Sequence, residues 1–176
     1  MEQKVFGLVG WSGSGKTTLV TRLLPELTNR GLSVSTVKHT HHDIEVDKPG
    51  KDSFRHRKSG AVEVLITSPV RWALVHELRE APEPEMTELI GRMGPVDIIL
   101  VEGFKSHPYP KLEIHRPSTG KALLADNDET VVAVASDEKI EGLDIPVLEL
   151  SDMGQIAKFI IEHCQLNPVS ENGADD

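Results

Sequence analysis

GLVGWSGSGKTTLV, residues 7–20, decides how this chain is read. It opens in a short apolar run, KVFGLVG (residues 4–10), of the kind that suits a buried strand. From Lys16 onward Leu19, Val20, Leu23, Leu24 and Leu27 recur at helical spacing, and Gly31 follows as a stop signal. Pro25 lies inside that pattern and lacks an N–H, so it is expected to kink the helix or end its first part. LSVSTVKH (residues 32–39) reads as a second strand. Strand, helix and strand in succession form a βαβ unit, which implies a parallel sheet with a right-handed crossover.

Between strand and helix, Gly10-Trp11-Ser12-Gly13-Ser14-Gly15-Lys16-Thr17 satisfies the spacing G-x-x-x-x-G-K-[ST]. Each residue type has a task there. Glycines let backbone N–H groups close around phosphate oxygens where a Cβ would obstruct them. A helix starting near Lys16 adds the positive end of its dipole. Lys16 is expected to reach the β- and γ-phosphates of a nucleotide, and the Thr17 hydroxyl to bind Mg²⁺. Gly10, Ser12, Gly13, Ser14, Gly15, Lys16, Thr17 and Thr18 are therefore the candidate nucleotide-binding residues. The competing explanation, a flexible glycine-serine turn, leaves the flanking strand and helix unaccounted for.

Such a loop needs a carboxylate from a neighbouring strand on the metal side. The run Ile98-Ile99-Leu100-Val101-Glu102 offers one. Asp97 competes, but a strand advances about 3.3 Å per residue, so Asp97 and Glu102 lie on the order of 16 Å apart. Ligands of open α/β sheets bind at the carboxyl ends of the strands, which selects Glu102, with Gly103 permitting close approach.

At 176 residues the chain is long enough for one substantial core, and the expected organisation is a single domain over residues 1–165 with a disordered acidic tail at 166–176. The net charge of −9 argues against sequence-independent binding to nucleic acid. Cys164 is the only cysteine, and KVFGLVGW is too short to span a bilayer, so a soluble, cytoplasmic protein without a membrane partner is expected. Beyond residue 60, AVEVLITSPVRWALVHEL (61–78) reads as two strands about a Ser-Pro turn, PEMTELIGRM as a helix, and VDIILVEGF, PKLEIHR, TVVAVAS and IPVLEL as strands. DMGQIAKFIIEHC closes the pattern as an amphipathic helix.

The polar stretch KHTHHDIEVDKPGKDSFRH follows the second strand, again at a carboxyl end. Adjacent histidines on an extended segment face opposite ways, which disfavours a zinc site at His39, His41, His42 and Asp43. Contact with an anionic ligand or a partner fits better, through His39, His41, His42, Asp47, Lys51, Asp52 and Arg55, with Lys105 after the Glu102 strand. Asp43, Asp47 or Asp52 is expected to assist the Mg²⁺ water shell. A solvated loop with ordinary charges is the plainer alternative.

Taken with the phosphate loop, the segments KHTHHDIEVDKPGKDS, RWAL, ILVEGFK and VAVASD resemble the molybdopterin-guanine dinucleotide biosynthesis adaptor protein B family over residues 4–163. The resemblance implies an α/β chain with the three-layer P-loop NTPase fold, its sheet mostly parallel, plus an antiparallel β-hairpin extension. It also implies a homodimer that binds GTP and Mg²⁺, hydrolyses GTP poorly, and assists the guanylyltransferase that makes molybdopterin guanine dinucleotide. Molybdopterin itself is a further candidate ligand. The family's phosphate residues carry over to Gly13, Gly15, Lys16, Thr17 and Thr18, and its metal-side acid to Glu102. The 61–78 hairpin is the candidate dimer contact, because an unpaired apolar edge invites a partner strand. The guanine-reading Asn-Lys-x-Asp motif of GTPases is absent from the sequence. Asp137 ends a strand where a carboxylate is able to accept from guanine N1–H and the 2-amino group; a surface aspartate capping the next turn is the rival.

A small-molecule kinase is the alternative activity. Kinases add an arginine-bearing lid, and after Glu102 only Arg116 is present. With no glutamine or arginine evidently placed to act on water or on transition-state charge, hydrolysis is expected to be slow and no catalytic residue is assigned. GTP-dependent metal delivery would need a firmer thiol or histidine site.

Overall fold

The computed structural model describes residues 3–40, 44, 46–103 and 107–168. In chain order the elements are β1 (Lys4–Val9), α1 (Lys16–Thr28), β2 (Val34–Lys38), α2 (Asp52–Lys58), β3 (Glu63–Thr67), β4 (Trp72–His76), α3 (Met86–Gly91), β5 (Ile98–Glu102), β6 (Lys111–His115), β7 (Val131–Ser136), β8 (Val147–Glu149) and α4 (Met153–Cys164). Single 3₁₀ turns lie at Pro117–Thr119 and Ala125–Asn127. The chain divides into two compact units, residues 1–39 with 95–176, and residues 40–94.

The first unit is a six-stranded sheet in the order β2-β5-β1-β6-β7-β8, parallel at every pairing. One face of it, from Phe6 and Leu8 through Ile98 and Leu100 to Leu112, Ile114, Ala133 and Ala135, packs on Leu19, Leu23 and Leu27 of α1 and Ile156, Ala157 and Ile160 of α4. Each large side chain so buried contributes about 1.5–3 kcal/mol, which makes this cluster the main support of the unit. α1 does not end at Pro25: it runs to Thr28. The missing N–H falls near the helix end, and Leu23 and Leu27, both fully buried, hold the turns on either side. α4 is capped by Asp152, whose carboxylate accepts from Gln155 N at 2.9 Å.

The other face of β6 is polar yet buried. Lys111, Glu113 and His115 point to it, and all five residues of the strand are buried. The segment that follows satisfies the first two: Lys111 Nζ donates to Asp128 Oδ2 at 2.8 Å and to Thr130 Oγ1 at 2.6 Å, while Glu113 accepts from Leu124 N and Ala125 N at 2.9 Å. Gly7 on β1, the register partner of Lys111, makes room, since a Cβ there would lie 2.7 Å from Lys111 Cγ.

The second unit holds the antiparallel hairpin β3–β4, paired from Glu63↔His76 to Thr67↔Trp72. Leu65 (61% exposed), Trp72 (69%) and Leu74 (49%) lie on one face of it. Arg57 of α2 donates to Asp47 Oδ1 at 2.7 Å and to Glu77 Oε1 at 2.8 Å. Among the described residues, no helix is long and apolar enough to cross a membrane.

Candidate functional site

The chain leaves β1 toward β2 and β5 on one side and toward β6, β7 and β8 on the other, so the loop after β1 lies at a switch point of the sheet. Residues 10–15 form that loop and lead straight into α1. Gly10 could not be replaced without displacement, because a Cβ would stand 2.6 Å from Ile114 O and from Ser14 Oγ. Gly15, at φ +97°, caps the helix in a left-handed conformation. Lys16 Nζ donates to Gly10 O at 2.9 Å and to Trp11 O at 3.0 Å, so its ammonium lies over the loop. A cavity of about 340 Å³ is lined by Ser12, Gly13, Gly15, Lys16, Thr17, Thr18 and Glu102.

Glu102 ends β5, the strand next to β1, and its Oε1 accepts from Thr17 Oγ1 at 2.7 Å. Lys38 Nζ, at the end of β2, stands 3.8 Å from the same oxygen. The two hard oxygen donors therefore meet at one corner of the cavity. Asp97 is at the opposite end of β5, where it accepts from Ser33 N at 2.7 Å and Ser33 Oγ at 2.6 Å. Those bonds hold its carboxyl below the usual carboxylate range. His39 N donates to Glu102 O at 3.0 Å, joining the carboxyl ends of β2 and β5.

On the other side of β1 the structure places an arginine beside the loop. Arg116 follows β6, donates from Nε to Ser14 O at 3.1 Å, and pairs through Nη1 with Asp137 Oδ2 at the end of β7. Arg116 thus stands beside the phosphate loop with both of these nitrogens bonded. Its partners lie 102 residues back and 21 residues on, and only the parallel order β1-β6-β7 brings them together. Trp11, inside the loop, donates from Nε1 to Ala122 O at 2.8 Å, a contact not foreseen from the sequence.

The family model described as "Molybdopterin guanine dinucleotide synthesis protein B" (MobB) matches residues 5–137. The chain belongs to the MobB family. It is 41% identical over 166 residues to the molybdopterin-guanine dinucleotide biosynthesis adapter protein of Escherichia coli K12, spanning 92% of this chain and 93% of that protein. To the protein of the same description from Haemophilus influenzae it is 41% identical over 159 residues, 89% of this chain and 86% of that one. The crystal structure of Bacillus subtilis MobB superposes with a TM-score of 0.72 at 26% identity, covering 93% of this chain and 98% of that one.

The remaining expected contacts of this MobB chain divide by unit. Lys51, Asp52 and Arg55 belong to the second unit, where Lys51 precedes α2 and Arg55 Nη1 stands 4.0 Å from Asp52 Oδ1. Asp47 is not an open ligand contact: its side chain is 4% exposed and bound to Arg57. The hydrogen bond from Arg57, aided by its charge and opposed by burial, holds the Asp47 carboxyl below its ordinary value, and the Arg57 guanidinium is stabilised in turn. His41, His42, Asp43 and Lys105 lie outside the described residues, as does most of the expected acidic tail. Among the described residues, no group of three or more His, Cys, Asp or Glu side chains is arranged to hold a metal.

Proposed function

We propose that this chain is a GTP-binding adaptor of molybdenum-cofactor assembly, serving the guanylyltransferase that converts molybdopterin to molybdopterin guanine dinucleotide. The observation that carries the reading is the corner where Lys16, Thr17 and Glu102 converge on the loop after β1, in a chain of the MobB family. Loop N–H groups and the Lys16 ammonium bind and orient the phosphates, and Thr17 with Glu102 would hold Mg²⁺. Bound Mg²⁺ would neutralise part of the phosphate charge. Asp137, at the end of β7, is the proposed acceptor for the guanine edge. Residues 1–165 act as one nucleotide-binding protein in the cytoplasm, with the 40–94 unit carried between β2 and β5.

Arg116 stands beside the loop, but its Nε and Nη1 are already committed to Ser14 O and Asp137. Isolated turnover is therefore expected to stay well below about one per second, since unassisted GTPases turn over at about 10⁻⁴–10⁻² s⁻¹. The exposed Leu65–Trp72–Leu74 face of the hairpin supports a homodimer contact, since apolar patches of this kind mark association surfaces. Trp72→Lys should then lower the mass measured by light scattering from dimer to monomer, and an unchanged mass assigns the contact elsewhere.

Calorimetry with GTP and ATP, each with and without Mg²⁺, tests the function. Preference for GTP with little turnover, together with binding of the guanylyltransferase, is the expected result. Preference for ATP with phosphoryl transfer to a small acceptor overturns it in favour of a kinase.

A further inference from the structure

On the β6 side of the phosphate loop one planar group spans two tasks. The Arg116 guanidinium reaches Ser14 O with Nε at 3.1 Å and Asp137 Oδ2 with Nη1. Its Nη2 lies 3.7 Å from where a Gly15 Cβ would stand, so it also lies along the start of α1. With Thr18, Arg22, Leu150 and Met153, Arg116 lines a niche of about 40 Å³ on this side of the loop, across β1 from the Glu102 corner.

The Arg116 and Asp137 side chains are 38% and 34% exposed, and a pair this open contributes little to stability. What the pair does fix is direction. A carboxylate that reads guanine must present its oxygens in the plane of the N1–H and 2-amino donors, and an untethered aspartate at a strand end turns freely. A guanidinium offers several donors in one rigid plane, so it is able to hold a carboxylate and a backbone carbonyl together.

We propose that Arg116 is a positioning residue for base selection, orienting Asp137 for guanine and tying that carboxylate to the loop that holds the phosphates. This rests on the proposed GTP reading and on Asp137 as the base acceptor. Base discrimination and phosphate binding are then coupled through one side chain: a shift of the loop at Ser14 is felt at Asp137.

The test compares the affinities of GTP and ITP, which differ only in the 2-amino group, with Mg²⁺ present. Wild-type protein should favour GTP by about tenfold or more, the scale of one hydrogen bond to a charged acceptor. Asp137→Ala should bring the GTP/ITP ratio near one. Arg116→Ala should lower the ratio strongly, whereas Arg116→Lys, which can still bond Asp137 but lacks the rigid plane, should recover only part of it. Equal weakening of both nucleotides by Arg116→Ala, with the ratio kept, overturns the inference and leaves Arg116 as a prop of the loop. A ratio that survives Asp137→Ala places base reading elsewhere and overturns the inference while the GTP reading stands. Wild-type protein that binds no guanine nucleotide overturns that reading and this one with it.

Discussion

Thr17 Oγ1 donates to Glu102 Oε1 at 2.7 Å, joining the first turn of α1 to the end of β5 across 85 residues of sequence. A hydroxyl and a carboxylate held this close, beside the loop that should carry phosphates, are two hard oxygen donors of the kind the proposed magnesium site would use. Glu102→Gln keeps the hydrogen bond to Thr17 and removes the charge. It should weaken GTP binding by about tenfold in the presence of Mg²⁺ and leave the metal-free affinity nearly unchanged. Equal losses with and without the metal, read by calorimetry, would assign Glu102 a structural task.

Lys16 bonds Gly10 O and Trp11 O, so its ammonium is already placed over the loop rather than in solvent. Lys16→Ala should lower nucleotide affinity by about tenfold to a hundredfold, the range of hydrogen bonds to charged groups. The melting temperature should move little, because Lys16 takes no part in the apolar core. Unchanged GTP affinity would remove the phosphate-loop assignment altogether.

What was legible in the sequence is local or periodic. The strand, loop and helix around Lys16 follow from residues within a few turns of one another. The choice of Glu102 over Asp97 follows from strand length and from ligands binding at the carboxyl ends of strands, and Asp97 is found bonded to Ser33 at the far end. KLEIH illustrates the opposite case. Its alternation suggests one wet face, yet all five residues are buried because the segment to Thr130 folds back over Lys111 and Glu113. Nothing local announces that partner. The contacts of Arg116 are illegible for the same reason, since they are set by the order of parallel strands. Asp47 stood in a segment read as a ligand clamp, whereas its charge is spent on Arg57, within the same unit.

Lys111 offers a test of the buried polar face. Its side chain is 2% exposed and bonded to Asp128 and Thr130. Burial would raise the Asp128 carboxyl, but the bonds from Lys111 and Thr130 outweigh it and hold it below its ordinary value. Lys111→Ala leaves a cavity and strands both partners, and should cost about 3 kcal/mol in denaturant unfolding. Lys111→Met fills the space and should cost less. Gly7→Ala places a Cβ 2.7 Å from Lys111 Cγ and should cost about 1–3 kcal/mol in wild-type protein, but much less beside Lys111→Ala. Strict additivity of the two changes would show that they do not meet.

Acid should loosen the second unit through Asp47. Its folded-state carboxyl sits below the ordinary value, chiefly because Arg57 donates to it and adds its charge against the effect of burial. A group depressed in this way stabilises the fold fully above its unfolded value, about 3.9, and loses that contribution as pH falls through the folded value. Wild-type protein should therefore lose stability as the pH falls below about 3.9, other paired carboxylates such as Asp97 and Asp128 contributing in the same sense. Asp47→Asn keeps an acceptor for Arg57 but cannot titrate. It should be less stable than wild type near neutral pH, and the gap should close as the pH falls. Hydrogen exchange at α2 amides, followed across that range, reads the effect where it arises. A gap between wild type and variant that stays constant from neutral to acid pH would show that the Asp47 charge does not contribute to holding this unit.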